Sequence, residues 1–164
     1  MLTATSLASQ IPWSCSSQRR QLETIYEQRR GSVKASLKAA ASRIHLAFDL
    51  WTSSNNYAIM AVSSHFLDSK GIQQQRLLAL TRQGGAHSGD NLATTPLRVV
   101  KEWEIQDRIG TLVSDNASSN DTCTAAFFRQ INPAFTKTDM KERRMRCYGH
   151  ILNLVGKAFF HGED

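Results

Sequence analysis

Two aspartates stand out by where they fall in the chain. Asp49 follows the alternating run Ile44, Leu46, Phe48 and opens Asp49-Leu50-Trp51-Thr52; Asp115 follows Ile109, Leu112 and Val113 and sits in Ser114-Asp115-Asn116. Each reads as an acid placed where a strand runs out. Carboxylates projecting from neighbouring strand ends can bind magnesium, which takes hard oxygen ligands and keeps waters that substrate phosphates replace. A bridged metal pair would activate an attacking oxygen and stabilise the leaving one in phosphodiester cleavage or strand transfer. Each acid also has a purely structural reading, Asp49 as a strand end and Asp115 as the N-cap of a following helix, and spacing does not choose between them.

Other chemistry has less to rest on. Cys147-x-x-His150 is half of a zinc pattern, and a tetrahedral site needs four ligands, so no zinc is expected; a buried Cys in a short strand beside a helix-start His is the ordinary picture. His45, His65 and His87 have no Ser or Cys partner at motif spacing, and neither a P-loop nor GxGxxG occurs. Trp51 and Trp103 read as core residues.

The elements that must position the acids follow from periodicity. Leu22, Ile25, Tyr26, then Val33, Leu37 and Ala40 have helical spacing, with Gly31 as an interruption. Residues 44–52, 57–67 and 72–80 read as three strands of an antiparallel meander, turning at Asp68-Ser69-Lys70-Gly71. A helix from Leu92 to Trp103, capped by Ser88 or Asp90, precedes the strand ending at Ser114, and a further helix runs from Ser118 to Ile131. Residues 132–144 read as an exposed basic loop, 145–147 as a short strand and 151–160 as an apolar helix; Asp90 and Asp121 read as helix caps. The order β-β-β-α-β-α-β-α with right-handed crossovers gives an α/β mixed sheet, three antiparallel strands then parallel ones, with flanking helices. Strand one then lies beside strand four, and Asp49 and Asp115 share one sheet edge.

The chain has 164 residues, 41% of them hydrophobic, enough for one core. Its net charge of +6 is uneven: residues 1–44 hold seven Lys/Arg against two Glu, residues 45–122 six against eight acids, and residues 123–164 seven against four. Basic flanks around an acidic centre suit a cation site between phosphate-facing surfaces, and equally suit solvated helices around an ordinary core. Three irregularly spaced cysteines make no disulfide framework, and no apolar run approaches membrane-span length. Residues 1–18, Ser/Thr-rich and without an acid, read as a disordered leader ahead of a domain over 19–164.

Four segments in order resemble the hAT transposase superfamily, in particular its fungal members: Phe48-Asp49-Leu50-Trp51-Thr52-Ser53, His87-Ser88-Gly89-Asp90-Asn91-Leu92-Ala93, Val113-Ser114-Asp115-Asn116-Ala117-Ser118-Ser119-Asn120-Asp121, and Arg146-Cys147-Tyr148-Gly149-His150-Ile151-Leu152-Asn153-Leu154. The resemblance implies part of an RNase H-like catalytic domain, with Asp49 and Asp115 as the first two catalytic acids and magnesium or manganese ligands. Trp51, Thr52, Asn116, Cys147 and His150 then flank the site. It also implies a nuclear protein acting on transposon DNA ends. The family's BED-type zinc finger, helical insertion, third catalytic Glu and dimerisation segment have no counterpart in the sequence, and Glu163 or Asp164 would be a poor stand-in for that Glu. A chain without the third acid is expected to be inactive alone, the alternative being a domesticated, non-enzymatic module that binds nucleic acid or protein.

Overall fold

The computed structural model describes residues 14–85 and 88–162; His87, Glu163, Asp164 and the first thirteen residues of the expected leader lie outside them. The chain divides into two compact units, one ending at Ser36 and the other beginning at Leu37. Helix α1 (Cys15–Lys38) fills the described part of the first unit. The Ser14 hydroxyl caps it, accepting the Ser17 N–H at 3.1 Å, so the helix starts inside the stretch read as a leader. It also runs through Gly31 without a break: a glycine inside a helix costs only about 0.5–1 kcal/mol, and surface pairs such as Arg19–Glu23 at 3.0 Å support the same turns.

The second unit holds one five-stranded sheet, ordered β3-β2-β1-β4-β5. Strands β1 (Ile44–Thr52), β2 (Ala58–Leu67) and β3 (Gln73–Arg82) form the expected antiparallel meander. Its second turn is built as its residues suggest: Asp68 Oδ1 accepts the N–H groups of Lys70 and Ile72 at 2.9 and 3.0 Å, and Gly71 supplies the left-handed φ of 75°. Helix α2 (Gly89–Trp103) then crosses over to β4 (Ile109–Ser114), which lies parallel to β1. Helix α3 (Ser118–Ile131), short helix α4 (Lys137–Glu142), β5 (Arg144–Arg146, parallel to β4) and helix α5 (Tyr148–His161) complete the chain.

Strand pleating sorts the core. Ile44, Leu46 and Phe48 on β1, Met60, Val62 and Phe66 on β2, and Leu112 on β4 are buried on one face, together with Leu92, Val99 and Val100 of α2 and Phe127 and Phe128 of α3. The two phenylalanine rings meet edge to face at 5.1 Å. Gly89 lets α2 and α3 approach closely, since a Cβ there would stand 2.6 Å from the Cys123 backbone nitrogen.

Three readings need correction. Trp103 is buried, with its indole N–H on the Leu78 carbonyl at 3.1 Å, but Trp51 is 41% exposed, in the last, largely uncovered residues of β1. Residues 132–144 are not all loop: Thr136 and Asp139 form a reciprocal capping box, and Met140 supplies the buried anchor that holds α4. The last strand is Arg144–Arg146, which leaves Cys147 half-buried at the N-cap position of α5 instead of inside a strand.

Candidate functional site

The β1–β4 register decides where the acids lie. Ala47 pairs with Val113 on the adjacent parallel strand, so each aspartate follows a paired residue by two positions, Asp49 still within β1 and Asp115 just past the end of β4. Asp49 continues the face of β1 that carries His45 and Ala47, opposite the buried core face. Asp49 is not at the strand end, because β1 continues to Thr52 and Asp49 is itself paired with Ala61 of β2. It is an exposed carboxylate on a rigid strand interior, with no hydrogen-bond donor among the described residues.

Asp115 is held more tightly. Its Oδ1 accepts the Ala117 N–H at 3.0 Å and the Asn120 side-chain amide at 2.5 Å, while Asn120 itself is buried. The carboxylate thus turns the chain into α3 with one oxygen and keeps Oδ2 without a protein donor among the described residues. Asp115 is therefore not the N-cap it was read as, a position Ala117 holds, but makes an Asx-type turn two residues before the helix and leaves its second oxygen available.

The flanking residues divide into two groups. Trp51 and Thr52 pair with Ile59 and Ala58 beyond the acids, both exposed. Asn116, Cys147 and His150 gather on the β4 side: the Cys147 N–H donates to the Ser114 carbonyl at 2.8 Å, which ties the start of α5 to the end of β4, and His150 follows, half-buried, in the first turn of α5. Asp115, Asn116 and Cys147 therefore lie together where β4 ends and α5 begins, and among the described residues the structure records no contact that joins Asp49 or His150 to them.

Arginines that sequence reasoning passed over fix this edge. Arg144, 8% exposed, donates to the backbone carbonyls of Asp115 (2.6 Å), Ser114 (3.4 Å) and Met145, and pairs with Asp121 at 3.1 Å. Arg146 reaches Asp121 at 3.5 Å and the Asn116 side-chain oxygen at 3.4 Å, so Asp121 is an ion-pair partner and not the cap it was read as. At the other end of the strands, Arg108 donates to the carbonyls of Lys38 (2.7 Å), Ala40 (2.5 Å) and Ser42 (3.2 Å), fixing the segment that leads into β1 beside β4. Five donors suit an arginine to gathering carbonyls, but the carbonyls it gathers leave no mark in the sequence.

On the same face, the His45 Nδ1 lies 2.8 Å from the Thr111 hydroxyl. Burial, and then the neighbouring His65, hold its pKa below the ordinary value. Both histidines line a groove of about 560 Å³ on this face. On the core side, burial pushes the Cys123 thiol up to about 12.

Comparison with known proteins agrees with this architecture. Residues 47–140 match the model of the ZBED1 RNase-like domain. The chain is 28% identical over 141 residues to the putative AC transposase of Zea mays, covering 85% of this chain and 18% of that protein. It is 29% identical over 136 residues to the putative transcriptional regulator tpeD of Talaromyces stipitatus, covering 83% and 16%. With the zinc finger BED domain-containing protein RICESLEEPER 1 of Oryza sativa the identity is 26% over 143 residues, covering 84% and 20%. The chain thus spans a fifth or less of the length of these relatives, and no solved structure matches it significantly. A mixed five-stranded sheet with flanking helices, a family match over most of that sheet and transposase relatives along nearly the whole chain identify it as a member of the ZBED1 RNase-like domain family, of hAT transposase type.

Proposed function

We propose that the edge formed by β1 and β4 is the metal-binding part of an RNase H-like DNA-processing site, with Asp49 and Asp115 as the ligands. The observation that supports this reading is the parallel pairing of β1 with β4, with Ala47 beside Val113 two positions before each aspartate. The donor set fits magnesium or manganese: two hard carboxylates, one of them oriented by Asn120 through the oxygen that would not face the ion. When bound, such an ion supplies charge stabilisation to a phosphodiester undergoing cleavage or strand transfer. What the chain itself contributes is placement: β1 fixes Asp49, the Asx turn and Asn120 fix Asp115, and Arg144 holds the backbone between them and α3.

Two carboxylates leave most of an octahedral shell to water, so affinity in this chain alone is weak and turnover absent. DNA as partner and the nucleus as location follow the same reading, supported by relatives named as transposases and as a transcriptional regulator. The regulator favours a second reading, a module that binds DNA without cutting it.

The test is Mn2+ titration of the whole chain followed by electron paramagnetic resonance. Wild-type protein is expected to bind with a dissociation constant in the submillimolar to millimolar range, and Asp49→Asn and Asp115→Asn are each expected to weaken binding about tenfold, roughly the loss of one hard ligand. Binding unchanged in both variants would remove the metal site and leave the second reading.

A further inference from the structure

We infer that the cleft enclosed by α3, α4 and β5 holds a stretch of DNA backbone leading away from the acid edge, an assignment that rests on the DNA-processing reading above. The cleft, about 490 Å³, is lined by Arg129, Lys137, Lys141, Arg144 and Arg146 against a single acid, Asp121. Its cations are not equivalent. Arg144 is spent on backbone carbonyls, and Asp121 is shared between Arg144 and Arg146. The carboxylate nearest Lys137 in sequence, Asp139, is already committed to the Thr136 N–H at 2.8 Å and hydroxyl at 2.6 Å. Arg129, Lys137 and Lys141 remain, all exposed and none in an ion pair among the described residues.

The layout suits a polymer of charge better than a single ion. From Asp121 to Arg129 the wall of α3 runs about 12 Å at about 1.5 Å per residue. A DNA strand carries a phosphate at every nucleotide, so a wall of that length meets more than one of them. Arg129 on α3 and Lys137 and Lys141, four residues apart on α4, line the cleft from two elements, and side-chain cations on the walls of a cleft suit phosphates of a backbone passing between them. Its near end is also placed for continuity, since Arg146 touches Asn116, the residue after Asp115. A strand whose phosphodiester lies at the two aspartates would continue past Asn116 into the cleft. Contact there is to phosphate alone, so the cleft contributes affinity and path without base preference.

The experiment is fluorescence anisotropy of a labelled duplex oligonucleotide over a salt series, with the whole chain. Three proteins are compared: wild type, the cleft triple Arg129→Gln/Lys137→Gln/Lys141→Gln, and a control triple Lys70→Gln/Lys101→Gln/Lys157→Gln with the same net charge. All six positions are exposed, and far-UV circular dichroism verifies that each triple is folded. The cleft triple is expected to bind about tenfold or more weakly at low salt, with a log K against log salt slope shallower by about two to three. The control triple is expected to stay within about twofold of wild type. Equal losses in both triples, a cleft triple that binds like wild type, or a wild-type chain that does not bind DNA would each overturn the assignment. Mn2+ titration of the cleft triple separates the two proposals: metal affinity at the wild-type level with DNA binding lost supports the cleft. DNA binding that depends on the cleft while the Asp49 and Asp115 variants leave metal affinity unchanged would keep the cleft and discard the metal site.

Discussion

Replacing Gly89 by alanine tests the packing that positions the site. The new Cβ would stand 1.9 Å from the Thr122 Oγ1, 2.5 Å from the Thr122 Cβ and 2.6 Å from the Cys123 backbone nitrogen, where ordinary contact begins near 3.4 Å. The hydroxyl can rotate away. The Thr122 Cβ and the Cys123 nitrogen belong to α3 and cannot, so α2 must shift by several tenths of an ångström. Overpacking of this kind costs about 1–3 kcal/mol. Alanine's helix preference over glycine offsets at most about 1 kcal/mol, and less at the first helical position. A net loss of about 1–2 kcal/mol corresponds to a Tm lower by about 3–8 °C in a domain of this size. Thermal unfolding followed by far-UV circular dichroism measures it. Adding Thr122→Ala is expected to restore only part of the loss, because two of the three close atoms remain. Gly31→Ala, where nothing lies within 4 Å of the added atom, is expected to leave Tm unchanged or raise it. A Gly89→Ala protein as stable as wild type, or full rescue by Thr122→Ala, would refute the argument that the backbones of α2 and α3 touch here.

Thiol labelling of the folded chain is expected to modify exposed Cys15 first and half-buried Cys147 more slowly, and to spare Cys123, whose thiol is buried and shifted up to about 12; mass spectrometry after alkylation reads the order. Stability is expected to decline as pH falls below about 6.5, because the folded state holds the His45 pKa below its ordinary value while the unfolded chain takes up the proton. Urea titrations across that range should show a shallower decline for His45→Gln. A second decline is expected below about pH 4, where Asp68, held low by the Ile72 N–H, and Asp139, held low by the Thr136 hydroxyl, become protonated.

The meander and the parallel crossovers were legible because period-two runs and turn residues sit side by side in the sequence, as at Asp68 to Gly71. The adjacency of β1 and β4 was legible as topology, since a strand-helix-strand crossover leaves little choice of neighbour. What the sequence hid was tertiary. Gly31 looks like a helix stop and acts as none, because propensity is a weak preference set against a capped helix of 24 residues. Helix α4 was missed because its single buried side chain, Met140, gives no periodic stripe; the box at Thr136 and Asp139 was the readable sign. The roles of Arg108 and Arg144 could not be read from sequence, because their partners are backbone carbonyls that have no sequence signature. For Trp51, apolar character was taken for burial, whereas the strand end that carries it is largely uncovered.

The parallel pairing of β1 with β4 also sets a timetable. Strands β1 to β3 are joined by short turns and can pair while the rest of the chain is still being synthesised, whereas Ala47 meets Val113 only after α2 and β4 have been made and the crossover has closed. A nascent chain therefore makes the strand that carries Asp49 well before the strand that precedes Asp115, and the pairing of β1 with β4 is a product of late folding. Substitutions that slow the closure of β4 onto β1 would then lower the yield of assembled sites without touching either carboxylate.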